Sequence, residues 1–226
     1  MKDLTIAIDG PAGAGKSTVA RKVAQELGLI YVDTGAMYRA ITWKALENQL
    51  NLADEEKLTQ LAREASLELK LTQGKVDIWL DGHRITEIIR SPQVTAHVSE
   101  VARIPGVRAA LVEKQRLIAQ NNGVVMDGRD IGTKVLPHAD LKIYLTASIA
   151  ERARRRYGEL VRSGYQVDIK QLEEEIRLRD EADSNRTHSP LRPASDAIII
   201  DSSGLSIEEV VEKILDLCRT KVGGGE

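Results

Sequence analysis

Residues 4–18 read Leu4-Thr5-Ile6-Ala7-Ile8-Asp9-Gly10-Pro11-Ala12-Gly13-Ala14-Gly15-Lys16-Ser17-Thr18. Leu4, Ile6 and Ile8 form a short apolar run of strand type, and Val19 to Leu27 carry a helical pattern. Between them Gly10 to Ser17 spell G-x-x-x-x-G-K-S. Glycines at this spacing let the backbone curl so that successive N–H groups face one small concavity. At the N-terminus of the following helix, such a concavity holds a polyphosphate. Lys16 is then expected to reach the β- and γ-phosphates, and the Ser17 hydroxyl to ligate Mg²⁺.

Working outward, the chain keeps alternating strand and helix. Leu29 to Val32 reads as a second strand, and Asp33-Thr34-Gly35 turns into a helix over Ala36 to Asn48. Leu52 to Ala65 is acidic at its start and apolar at i, i+3, i+4, so a further helix is expected. The period changes after residue 66. Leu67, Leu69 and Leu71 alternate with polar residues, as do Val76, Ile78 and Leu80. Gln73-Gly74-Lys75 supplies a turn, and Asp81-Gly82 is a hairpin signal leading to a third short strand near Arg84 to Thr86. This stretch reads as a small antiparallel insertion.

Pro92 to Val101 and Val107 to Gln120 read as helices separated at Pro105. Gly123 to Met126 and Leu141 to Leu145 read as core strands. Ile149 to Arg186 is helical and highly charged, with Gly158 and Gly164 as expected turn or hinge points. Ala197 to Ile200 is a last strand, and Ser206 caps a last helix running to Arg219, ahead of a frayed Gly223 to Glu226 tail. Five short apolar strands separated by helices imply a mostly parallel sheet covered on both faces. Ligands of such sheets bind beyond the carboxyl ends of the strands. Gly10 to Ser17, Asp33 to Gly35 and Asp127 to Gly132 all fall there.

Composition narrows the function. The 226 residues carry a formal charge of -2, and aromatics make up 3% with no Phe. Nucleic-acid polymers need a basic excess or stacking platforms, and neither is present. One cysteine, Cys218, fits a half-buried helix position and a reducing compartment. No apolar run has the length of a membrane span and no signal-peptide pattern opens the chain, so a cytoplasmic protein is expected. The four histidines lack metal-site spacing.

Asp127-Gly128-Arg129-Asp130 follows the apolar run Val124 to Met126. It reads either as a charged turn with its own ion pair, or as an acidic group near Mg²⁺ with Arg129 on a phosphate. Arg152, Arg154, Arg155 and Arg156 share one helix with Glu151 and Glu159. They read as a salt-bridged solvated face, or in part as guanidinium donors on a lid that closes over transferring phosphate and excludes water.

Several strings together resemble bacterial cytidylate kinases. They are Ile6 to Thr18, Asp33-Thr34-Gly35-Ala36-Met37-Tyr38-Arg39, Val107-Arg108 with Gln115-Arg116, Asp127 to Thr133, and Arg179-Asp180 through Asp183, Arg186 and Pro190-Leu191. The resemblance runs nearly the whole chain, in order. It implies an α/β fold with a P-loop nucleoside monophosphate kinase core and parallel sheet, a β-containing insertion in the monophosphate-binding lobe, and a lid. The expected division is a core of residues 1–36, 108–150 and 180–226, a lobe of residues 37–107, and a lid of residues 151–179. The implied reaction is phosphoryl transfer from ATP, with Mg²⁺, to CMP or dCMP, by a monomer without a polymer or membrane partner.

By the same resemblance Gly10, Pro11, Ala12, Gly13, Ala14, Gly15, Lys16, Ser17 and Thr18 bind ATP. Thr34, Arg39, Ser99, Arg108, Arg129, Asp130, Arg179, Asp183 and Arg186 line the CMP site, and Lys16, Arg129 and Arg186 carry the catalysis. The chemistry suits those types. Asp130 would accept from the cytosine amino group, while Arg108 and Ser99 would donate to N3 and O2. Uracil puts an acceptor opposite Asp130, and a mispaired buried polar group costs roughly 1–3 kcal/mol. Asp183 would take ribose hydroxyls, and Arg39, Arg129 and Arg186 the acceptor phosphate. An adenylate or uridylate kinase remains an alternative; a small GTPase is disfavoured because the guanine-reading N-K-x-D motif is missing.

Overall fold

A computed structural model describes residues 4–72, 75–120, 122–162 and 164–223. In chain order the elements are β1 (Thr5–Asp9), α1 (Lys16–Leu27), β2 (Ile30–Asp33), α2 (Thr34–Glu47), α3 (Glu55–Glu64), β3 (Leu67–Thr72), β4 (Lys75–Leu80) and β5 (His83–Arg84). They continue with α4 (Pro92–Ala102), α5 (Pro105–Ala119), β6 (Val124–Gly128), β7 (Leu141–Thr146), α6 (Ile149–Arg162), α7 (Ile169–Ser184), β8 (Ile198–Asp201) and α8 (Ile207–Gly223). Single helical turns lie at Ile88–Arg90 and Ile131–Val135. The chain forms two compact units, Met1–Tyr31 with Asn122–Glu226, and Val32–Asn121.

The first unit is built on a five-stranded sheet in the order β2-β6-β1-β7-β8. β1 runs parallel to both β6 and β7, and β7 parallel to β8. Ile6, Ala7, Ile8, Val124, Val125 and Met126 are wholly buried, as a sheet covered on both faces requires. The helix α1 turns Val19, Ala20, Val23 and Ala24 inward. It ends on Gly28, whose left-handed φ of 64° lets its amide reach the last carbonyls. Ser206 and Glu209 cap α8 reciprocally, the Glu209 amide donating to Ser206 Oγ and the Ser206 amide to Glu209 Oε2. Cys218 is buried in α8, and that burial pushes its thiol up to about 11, away from thiolate chemistry.

The second unit packs α2 on α4 and α3 on α5, and carries the antiparallel sheet β3-β4-β5. The expected hairpin is present, with Leu67 opposite Leu80 and Leu80 opposite His83. Asp81 and Gly82 both take positive φ, the geometry of a two-residue turn that matches strand twist. The third strand is shorter than expected, ending at Arg84. Thr86 leaves the ladder because its hydroxyl accepts from the Ile78 amide and donates to Asp77.

Other departures have local causes. The α2 helix begins at Thr34 because Asp33 caps it, accepting from the Ala36 amide at 2.9 Å. Pro105 separates two helices by opening α5, where its missing N–H costs nothing. Gly158 is no hinge: it lies inside the unbroken helix α6. Gly164, at φ 85°, is the turn. The turn at Ile131–Val135 has no counterpart in the sequence reading. Gln73 and Gly74 of the expected hairpin turn, and the tail from Gly224, lie outside the described residues. Among those residues no helix is long and apolar enough to cross a membrane.

Candidate functional site

The glycine-rich loop leaves β1 and enters α1, as its motif demands. Gly10, Gly13 and Gly15 have φ of 147°, 78° and 89°. At Gly10 the need is absolute: a Cβ there would lie 1.9 Å from the Leu145 carbonyl oxygen. Lys16 is buried and folds back, its Nζ donating to the Pro11 carbonyl at 2.6 Å. Burial, then the neighbouring Arg129 cation, pushes its ammonium down to about 7. A polyphosphate would replace the carbonyl as its partner and restore the charge.

Ser17 Oγ donates to Asp127 Oδ2 at 2.9 Å, and the Tyr31 hydroxyl donates to Asp127 Oδ1 at 2.9 Å. Asp127, at the end of β6, is therefore the Ser17 partner, a pairing across 110 positions that spacing alone does not reveal. The donor set, a hydroxyl braced by a buried carboxylate, fits a hard cation such as Mg²⁺ that keeps most of its ligands from phosphate and water.

The loop is also gripped from outside. Arg152 is buried and donates to the Ala12 carbonyl at 3.1 Å and the Ala147 carbonyl at 2.9 Å, and it pairs with Asp180 at 2.6 Å. Arg155 reaches the Ala14 carbonyl, the Ser202 carbonyl and Ser202 Oγ, and Ser202 Oγ itself donates to Ala14 O. Arg152 is thus no solvated residue, and Arg155 combines the expected i,i+4 pair with Glu151 at 2.8 Å with its contacts to the loop and Ser202. Arg154 and Arg156 do belong to the exposed face, paired with Glu151 and Glu159.

Beyond β6 the first unit gathers the other expected cations. Asp183, almost wholly buried, accepts from Arg129 Nε at 3.1 Å and from Arg186 Nη2. One carboxylate thus holds two guanidiniums side by side, and each of its oxygens keeps a lone pair. Arg179 sits nearby on α7, held below its ordinary basicity by burial and then by Arg129. Its Nε is buried without a hydrogen-bond partner among the described residues, as is Asp180 Oδ1. Crowded cations with an unsatisfied donor suit an anionic ligand. Asp130 is buried next to Arg129.

The second unit carries the rest. Thr34 is buried in the first turn of α2. Arg39 donates to Thr95 Oγ1 at 2.8 Å, and Ser99 lies one turn along α4 from Thr95. Arg108 donates to the Ala102 carbonyl at 3.0 Å and stacks on the Tyr38 ring, 5.3 Å from its centroid. Tyr38 is an unforeseen neighbour of Arg108, its ring lying against the planar guanidinium. Gln115, two turns along α5, is buried with Nε2 unpartnered among the described residues.

The family model for cytidylate kinase matches residues 6–220. A cytidylate kinase of Desulforamulus reducens is 59% identical over 210 residues, covering 93% of this chain and 94% of that one. The chain belongs to the cytidylate kinase family. A second relative so named, from Caldicellulosiruptor bescii, is 51% identical and covers 96% of each chain. Among solved structures a gluconokinase from Sinorhizobium meliloti superposes with a TM-score of 0.51 at 15% identity, covering 99% of this chain and 96% of that one, which bears on the fold alone. As a cytidylate kinase family member the protein is a kinase with an α/β P-loop fold, and every residue carried over by resemblance lies on a described element or loop.

Proposed function

We propose that the protein transfers the γ-phosphoryl group of ATP to CMP or dCMP, giving CDP or dCDP, in pyrimidine nucleotide metabolism. The observation that carries this reading is the Arg129–Asp183–Arg186 cluster in the same unit as the phosphate loop of a cytidylate kinase family chain.

The loop amides from Gly10 to Thr18 and Lys16 hold the donor's β- and γ-phosphates. The Ser17 hydroxyl, braced by Asp127, would ligate Mg²⁺. When bound, Mg²⁺ would neutralise negative charge on the donor's phosphates. Arg39, Arg129, Arg179 and Arg186 take the acceptor phosphate, and Asp183 the ribose through its remaining lone pairs. An acceptor phosphate oxygen attacks the γ-phosphorus, and the bond to the β–γ bridging oxygen breaks with its electrons leaving on ADP. The attacking oxygen is already an anion, so no general base is required. The residues contribute alignment and charge stabilisation.

Base choice falls to Asp130, Arg108 and Ser99, as acceptor and donors for the cytosine edge, with Thr34 lining the same subsite. The working division is a core of 1–36, 108–150 and 180–226, a lobe of 37–107 and a lid of 151–179. The enzyme acts as a monomer in the cytoplasm, which its single buried cysteine suits. The test is kcat/KM for CMP over UMP. Asp130→Ala is expected to cut that ratio roughly tenfold. An unchanged ratio refutes the role of Asp130.

A further inference from the structure

Asp9 is the last residue of β1 and only 3% exposed, yet it carries a carboxylate. An apolar residue would bury at that position more cheaply. Both its oxygens are committed: Oδ1 accepts from the Ile131 amide and Oδ2 from the Gly132 amide, each at 2.7 Å. Those amides open the turn Ile131–Val135, and first-turn amides have no partner within their own helix. The Asp130 carbonyl closes the same turn, accepting from the Lys134 amide at 2.8 Å and the Val135 amide at 3.2 Å. Residues 130 to 135 are therefore closed on themselves by these hydrogen bonds, and Asp9 ties their first two free amides to the end of β1.

The fastening is tight. A Cβ on Gly132 would meet Asp9 Oδ2 at 3.4 Å and the Lys142 stem at 3.2 Å. A methyl group there requires the Lys142 stem to shift by a few tenths of an ångström beside Asp9. On its other side Asp9 is bonded directly to Gly10, the first residue of the phosphate loop.

We propose that Asp9 is a positioning residue for acceptor-base recognition: by anchoring the two amides that follow Asp130, it fixes where Asp130 and Arg129 present their side chains. The inference rests on the base-reading role given to Asp130 above. Asp9 touches no substrate. It acts through the turn, so its removal shows as lost discrimination between acceptors rather than as uniform loss of rate. Asn in its place keeps the shape but sets an N–H against one of the two amides. Ala at residue 132 disturbs the same joint without altering charge.

The experiment compares the full-length protein with Asp9→Asn, Gly132→Ala and Asp130→Ala. Steady-state kinetics are run on CMP, UMP and ATP, and a melting curve confirms that each variant is folded. Asp9→Asn and Gly132→Ala are expected to raise KM for CMP about tenfold and to cut the CMP over UMP preference about fivefold, with KM for ATP shifting less than about threefold. The proposal is overturned if folded Asp9→Asn or Gly132→Ala protein keeps the native preference while Asp130→Ala loses it. If Asp130→Ala itself keeps the native preference, the role of Asp130 fails, and this one with it.

Discussion

A methyl group at residue 10 would sit 1.9 Å from the Leu145 carbonyl oxygen, in the middle of a parallel sheet. Gly10→Ala is therefore expected to unfold the chain or to abolish nucleotide binding, read by melting temperature and by ATP titration. Native-like melting with native ATP affinity would contradict the loop geometry. Lys16→Ala should instead leave the fold intact, since a buried cation with one carbonyl partner is costly to keep, and it should lower turnover by a factor of about a hundred or more. Asp9 gives a pH signature. Burial outweighs its two amide partners, Asp130 adds repulsion and Lys16 attraction, and the carboxyl rises from 3.8 to about 6. The native state thus holds a proton that the unfolded chain has lost, so this group's stabilising contribution is full below pH 3.8 and lost as pH rises through about 6. The melting temperature of Asp9→Asn relative to the native protein should accordingly rise between pH 5 and pH 7.5. A difference flat across that window would contradict a raised Asp9. Gly10, Lys16 and Ser17 are legible in the sequence because their roles are set by local spacing. Asp9 and the particular partners of Asp127 are not, because those partners lie 96 to 123 residues away.

The element that most departs from its sequence reading is α6. Its arginines sit among glutamates at i, i+3 and i+4, which describes a solvated face, and Arg154 and Arg156 obey it. Arg152 and Arg155 differ only in facing inward, and one helix turn's worth of spacing does not say which neighbour they meet. Arg152→Lys tests the grip on the loop. A lysine cannot serve the Ala12 carbonyl, the Ala147 carbonyl and Asp180 together. KM for ATP should rise roughly tenfold, with a stability loss of roughly 3 kcal/mol from the broken buried pair in Arg152→Ala. Unchanged KM for ATP in the lysine variant would show that the outer clamp is idle. By contrast α1, α5 and β4 follow their sequence patterns closely, since amphipathic period and the Asp81-Gly82 turn are properties of a few adjacent residues.

At the scale of the whole molecule the alternation of strand and helix predicts the parallel sheet, and the change of period after residue 66 predicts the antiparallel one. The order β2-β6-β1-β7-β8 is beyond local pattern, because it depends on which strand pairs with which. The two units each hold part of the expected acceptor-binding set, Thr34, Arg39, Ser99 and Arg108 in one and Arg129, Asp130, Arg179, Asp183 and Arg186 in the other. The proposed reaction is ATP-dependent phosphorylation of a cytosine monophosphate. Coupled turnover with CMP, dCMP, UMP, AMP and GMP as acceptors measures it directly. Rapid ADP formation is expected with CMP and dCMP, and rates at least about tenfold lower with the others. Equal rates across the panel, or ATP consumption that needs no acceptor, would contradict it.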